Sequence, residues 1–131
     1  MKIVFDTNII ISGFLTVTGL SEYVFTLGLK RHEVVLSEYI LEELRRKLTG
    51  KLQIPEAQVE ELLNFLRNRT TIVKAAANPH IHFKDKKDIP ILSLVEACRP
   101  HYFITGDKDL LLLKKLGHTL FLSPREALEA L

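Results

Sequence analysis

Cysteine is nearly absent from this chain: Cys98 is the only one in 131 residues, so no internal disulfide can form, and a reducing compartment is the natural home. Long apolar runs are missing too; none approaches the roughly 18 residues of a membrane span. Neither sign of charge dominates. The net charge of +2 is compatible with a polyanionic partner without pointing to one. No Walker loop, dinucleotide-binding glycine fingerprint or nucleophile elbow is present, which removes three common catalytic frameworks. Repeats, low-complexity tracts and linkers are also lacking, so a single domain over residues 1–131 is expected. The apolar N-terminus is interrupted by Asp6 and Asn8, which argues against a signal peptide and makes the cytoplasm the expected location.

What remains is an ordinary globular composition, 47% hydrophobic and 26% charged. Strand-like runs fall at Lys2–Phe5, Glu33–Leu36, Thr71–Val73, Tyr102–Thr105 and Thr119–Leu122. Helical patterns lie between them. Leu20–Leu29 is apolar enough to be a packed helix. Ser37 is a plausible N-cap for Glu38–Leu48, with Ile40, Leu41, Leu44 and Leu48 on one stripe. Pro55 suits the first turn of a helix through Arg67. Asp88 can cap a helix ending before Pro100, and Asp107 opens another, Leu110–Leu116, stopped by Gly117. Ser123-Pro124-Arg125-Glu126 is a capping box that starts the last helix. Strands alternating with helices predict an α/β three-layer sandwich, with a mostly parallel sheet of four to five strands between helices. Cys98, among Leu94, Val95 and Ala97, reads as a buried structural thiol.

Aspartate is scarce, and its placement is the most informative feature. All five aspartates (Asp6, Asp85, Asp88, Asp107 and Asp109) fall at or near a strand-to-helix junction or a helix start. Capping preference explains part of this. Yet parallel strands all end on one edge, and open α/β sheets bind their ligands there. Asp6, Asp88 and Asp107 should therefore share a cleft. On the helical wheel Glu43 falls beside the apolar stripe, whereas Glu42 lies among Glu38, Arg45 and Arg46 on a solvated face. Glu43 has a competing surface role, an ion pair with Lys47 one turn on.

Two carboxylates about 5 Å apart repel by roughly 3 kcal/mol at an effective dielectric of 20. Several such pairs require a cation or take up protons. All-oxygen ligation selects a hard ion, Mg²⁺ or Mn²⁺. One or two such ions suit in-line displacement at a phosphodiester, which predicts metal-assisted hydrolysis of nucleic acid or nucleotide.

These residues resemble those of the PIN-domain nucleases, in particular the small single-domain type found as toxins of prokaryotic toxin–antitoxin pairs. The resemblance runs over nearly the whole chain. It rests on Ile3-Val4-Phe5-Asp6-Thr7-Asn8, on Leu36-Ser37 leading to Glu43-Leu44, on Asp85-Lys86-Lys87-Asp88, and on Thr105-Gly106-Asp107-Lys108-Asp109-Leu110. It implies a metal-binding quartet of Asp6, Glu43, Asp88 and Asp107, with hydrogen-bonding support from Asn8 and Thr105. Asp109 is an auxiliary or substitute for Asp107, and Thr7 serves the turn. The activity implied is Mg²⁺- or Mn²⁺-dependent cleavage of single-stranded RNA by a homodimer held in check by an antitoxin. Lys86 and Lys87 stand where relatives have a denser acidic cluster, which leaves Asp85 as an alternative to Asp88. Asp88 is preferred for its capping position.

Lys84, Lys86, Lys87 and Lys108 flank the acids and are candidate phosphate contacts. His80-Ile81-His82 lacks a third ligand at a convincing spacing for zinc. A phosphoacceptor receiver domain would pair carboxylates after the first strand, and a haloacid-dehalogenase-type phosphatase would carry aspartate at residue 8, which is asparagine. The stronger rival is a PIN-fold protein that binds RNA or a partner without cutting efficiently.

Overall fold

The computed structural model describes residues 1–16, 19–74, 78 and 80–131. Strand β1 (Lys2–Phe5) leads through Asp6 into α1 (Thr7–Leu15), followed by α2 (Leu20–Arg31) and β2 (Glu33–Ser37). Next come α3 (Glu38–Thr49), α4 (Glu56–Arg69) and β3 (Thr71–Val73). A 3-10 turn over Lys86–Asp88 runs into α5 (Ile89–Cys98), then β4 (Tyr102–Ile104) and α6 (Lys108–Leu112). The chain closes with β5 (Lys115–Leu116), β6 (Thr119–Leu122) and α7 (Pro124–Ala130).

The sheet has six strands in the order β3-β2-β1-β4-β6-β5, one more than the upper expectation. All neighbours pair in parallel except β5 with β6. The chain steps outward from β1 to β2 and β3, then returns to place β4 on the other side of β1. The order therefore reverses between β1 and β4, where open α/β sheets leave a crevice at the carboxyl ends of their strands.

Strands buried on both faces need continuous apolar runs. Ile3, Val4, Phe5, Leu36, Phe103 and Ile104 are fully enclosed. The stripe expected on α3 is also buried, at Ile40, Leu41, Leu44 and Leu48. Ser37 caps that helix by accepting the Ile40 N–H at 3.2 Å. The capping box on α7 closes in both directions: Glu126 N–H donates to the Ser123 hydroxyl, and Ser123 N–H donates to the Glu126 carboxylate.

Two expectations change. The helix predicted over Leu110–Leu116 stops at Leu112, because Lys114 turns to φ 63° and Lys115–Leu116 pair antiparallel with Leu120 and Thr119. Gly117, with φ 60°, serves that tight hairpin rather than a helix end. The hairpin covers the edge β6 would otherwise expose, a tertiary demand that overrides the helical pattern. Cys98 is half-buried rather than enclosed, at the last residue of α5, and burial pushes its thiol pKa up.

The seat of β1 depends on one close approach. Phe5 stacks edge-on against Phe25 of α2 with ring centroids 5.0 Å apart. A Cβ on Gly28 would stand 2.8 Å from two Phe5 ring carbons. Alanine gains about 1 kcal/mol of helix propensity over glycine. Overpacking a closed core costs typically 1–3 kcal/mol. Gly28→Ala is therefore expected to lower unfolding free energy by up to about 2 kcal/mol in urea titration, and a stabilised variant would show that Phe5 yields freely.

Candidate active site

Asp6 extends the β1–β4 ladder by one bond, donating its N–H to the Ile104 carbonyl at 2.9 Å. Its own carbonyl accepts the Ile9 N–H at 3.0 Å and begins α1. It occupies the N-cap position, but its side chain makes no cap bond. Instead, the Thr105 hydroxyl, immediately after β4, donates to Asp6 Oδ2 at 2.6 Å. The same hydroxyl oxygen accepts the Asp107 N–H at 3.0 Å. One buried threonine thus links the ends of β1 and β4 to the start of α6. Asp6 is only 6% exposed, and burial raises its pKa. The Thr105 hydroxyl and the Thr7 N–H pull the other way, the Glu43 charge adds to the rise, and the Lys47 charge opposes it.

Glu43 is the inward acid of α3, as its place on the wheel suggested, and is 5% exposed. Glu42 is exposed and 3.7 Å from Arg45. The Thr7 hydroxyl donates to Glu43 Oε1 across the α1–α3 contact. Thr7 is therefore not merely a turn residue: as the first residue of α1 it is buried, and its donor fixes the second carboxylate. Glu43 Oε2 lies 3.8 Å from both Arg46 Nη2 and Lys47 Nζ. Lys47 Nζ also donates to Asn8 Oδ1 at 3.3 Å. Asn8 is exposed and reaches the acids through that lysine, not by a direct bond to a carboxylate.

The remaining aspartates divide by task. Asp107 caps α6, with Oδ1 accepting the Asp109 N–H at 2.8 Å and the Leu110 N–H at 3.3 Å. Asp85 caps the 3-10 turn by accepting the Lys87 N–H at 3.1 Å. Asp88 does not cap α5: its backbone is helical (φ −87°, ψ −11°), and no N–H takes its side chain. The 3-10 turn supplies the bonds there, with the Ile89 N–H donating to the Lys86 carbonyl. The Asp88 carboxylate is left uncommitted. Its pKa is pushed up to about 6, first by burial and then by the charges of Asp6, Asp107, Asp85 and Glu43. Asp109 stands apart, ion-paired with Lys84 at 3.0 Å. Lys86, Lys87 and Lys108 are exposed.

Asp6, Glu43, Asp88, Asp107 and Asp85 thus share one electrostatic neighbourhood at the β1–β4 switch point. Among the described residues, no three acidic, histidine or cysteine side chains are arranged so that they alone hold a metal ion. Tyr39 belongs to this neighbourhood although nothing in sequence marked it. Its hydroxyl donates to the Lys87 carbonyl at 3.2 Å, tying the turn that carries Asp88 to α3. Burial and the Glu43 charge raise its phenol pKa. Thr7 and Tyr39 gain their places only from helix packing; no local pattern distinguishes them from surface residues. A cavity of about 630 Å³ lies elsewhere, lined by Ile10, Phe14, Phe25, Leu29, Leu62 and Phe65 among others. It contains none of the aspartates.

A carboxyl whose folded pKa exceeds its unfolded value binds its proton first in the native state, so stability increases as pH falls through that interval. For Asp88 the interval runs from about 6 down to 3.8. His32 acts oppositely nearby, because burial, the N-terminal charge and Arg31 lower its pKa from 6.5. The difference between the parent and Asp88→Asn isolates the carboxylate. In EDTA, Asp88→Asn should be the more stable protein at pH 7, and the gap should shrink by pH 5 in denaturant titrations. A gap that is constant with pH would show that Asp88 is not held under like-charge stress.

The chain matches the PIN domain family model over residues 2–109. No curated protein sequence matches it. Among solved structures it resembles a chain in the crystal structure of VapBC2 from Rickettsia felis bound to a DNA fragment from their promoter, at 15% identity and a TM-score of 0.68. That alignment covers 94% of this chain and 98% of the other. No single helix among the described residues is long and apolar enough to cross a membrane. With the family model spanning β1 to the start of α6 and every acid above included, the chain belongs to the PIN-domain family.

Proposed function

We propose that this protein is a divalent-metal-dependent endoribonuclease that hydrolyses single-stranded RNA, acting as the toxin of a toxin–antitoxin pair. The observation that carries the reading is the burial of Asp6 and Glu43 at the β1–β4 switch point, with Asp88 near enough for the charges of Asp6, Asp107 and Glu43 to add to the rise in its pKa. Their donors are all oxygen, and the nearest cations, Arg46 and Lys47, stand back at 3.8 Å. Such a set fits a hard ion in charge and in ligand type. In this reading Asp6, Glu43, Asp88 and Asp107 would hold Mg²⁺ or Mn²⁺, with Asp85 the nearest substitute.

A divalent ion bound there supplies Lewis acidity, making a water proton easier to lose near neutral pH and offsetting phosphate charge. The chain's own groups do the rest. Thr105 and Thr7 fix the Asp6 and Glu43 carboxylates in single orientations. Asp107 spends one oxygen on the α6 cap and keeps the other free. In this reading exposed Lys86, Lys87 and Lys108 would hold neighbouring phosphates, whereas Lys84 is already engaged by Asp109. Water adds to phosphorus, the bond to the departing ribose oxygen breaks, and that oxygen takes up a proton.

Single-stranded RNA should be cut in Mg²⁺ or Mn²⁺ and spared in EDTA, as read on denaturing gels. Asp6→Asn should reduce cutting to background with the fold intact, because asparagine can still accept the Thr105 bond and the Asp6 side chain caps nothing. RNA bound but uncut in both metals, with Asp6→Asn unaltered, would favour the binding-module reading. Thr105→Val, which removes both the Asp6 donor and the acceptor of the Asp107 N–H, is expected to slow cleavage by about 10- to 100-fold, with circular dichroism unchanged.

The toxin assignment takes the VapBC2 likeness as its lead and implies an antitoxin partner and a homodimer. Expression should arrest growth, and a small protein encoded beside this gene should relieve the arrest. Arrest without any such neighbour would favour an RNA-processing nuclease instead.

A further inference from the structure

We propose that Lys47 is an exchangeable counter-ion and substrate-positioning residue: it pairs with Glu43 when no divalent ion is bound and passes to an RNA phosphate when one is. The inference rests on the metal site proposed above. The geometry that supports it is specific to this lysine. Lys47 lies one helical turn beyond Glu43 on α3, its Nζ 3.8 Å from Glu43 Oε2 and 3.3 Å from Asn8 Oδ1. Glu43 is almost wholly buried, whereas the Lys47 side chain is 39% exposed and Asn8 is exposed. The ammonium therefore stands between buried Glu43 and solvent.

Both of its tethers are weak. The 3.8 Å separation from Glu43 Oε2 is beyond hydrogen-bond reach, and the 3.3 Å contact with Asn8 lies past the usual range for an N–H···O bond. Lys47 is held well enough to screen Glu43 and loosely enough to leave. A divalent ion beside Glu43 cancels the charge that holds the ammonium, and the freed Nζ has a phosphate oxygen as its strongest available acceptor. Arg46 lies as far from Glu43 but is 63% exposed, and it makes no bond to Asn8, so it does not occupy the same position.

The test uses Lys47→Met, Lys47→Arg and Arg46→Met. Mn²⁺ affinity, measured by calorimetry without RNA, should tighten by roughly three- to tenfold in Lys47→Met, since a competing charge is gone. Lys47→Arg should stay within twofold of the parent, and Arg46→Met should shift less than Lys47→Met. Binding of a single-stranded oligoribonucleotide is then followed by stopped-flow anisotropy before cleavage accumulates. With Mn²⁺ present, Lys47→Met should lower the slope of log affinity against log salt by about 0.7, the loss of one phosphate contact. In EDTA the two slopes should coincide.

Equal Mn²⁺ affinities for parent and Lys47→Met, an equal shift in Arg46→Met, or a slope difference that persists in EDTA would each overturn the exchange. Failure of the parent itself to bind Mn²⁺ would overturn the metal reading and this inference with it.

Discussion

Two like-charged carboxylates buried beside one another are the constraint around which this molecule is organised. Glu43 has Arg46 and Lys47 at 3.8 Å, and its charge adds to the upward shift that burial imposes on Asp6. What holds them is a pair of threonine hydroxyls from other elements, Thr105 for Asp6 and Thr7 for Glu43. Hydroxyl donors orient a carboxylate without neutralising it.

The sheet makes this arrangement possible. Parallel register sets Phe5 opposite Ile104, so the next residue on each strand, Asp6 and Thr105, meets its counterpart at the edge. Asp6 therefore finds its donor through strand pairing rather than loop conformation. Glu43 comes from the other direction. Strand β2 ends at Ser37, whose cap starts α3, and the carboxylate then lies on the buried side of that helix, facing α1. Asp88 arrives on a turn pinned to α3 by Tyr39. Rigid elements supply each acid, and the switch point between β1 and β4 is where their ends converge.

Capping divides the aspartates more sharply than position does. Asp85 and Asp107 spend an oxygen on helical N–H groups. Asp6 and Asp88 stand at cap positions without a side-chain cap bond. Basic residues show the same division: Lys84 is committed to Asp109, while Lys47 rests on weak tethers at the rim of the site.

Much of this was legible in the amino-acid sequence. Apolar runs buried on both faces, the α3 stripe and the Ser123 capping box are local patterns whose physics acts within a few residues. They determined the element order and the parallel α/β class. The wheel position of Glu43 and the junction placement of Asp6, Asp88 and Asp107 belong to the same kind of information. Tertiary structure alone decided the strand order, and with it which acids meet. It converted Lys115–Leu116 from the end of a helix into an edge strand, because β6 needed a partner. It also turned Thr7 from a turn residue into the Glu43 donor, and made the Glu43–Lys47 surface pair coexist with burial of the acid. Hydrogen bonds between residues 36 and 99 positions apart leave no periodic trace in sequence. They depend on where whole elements pack, and that is settled by the core rather than by the residues that use it.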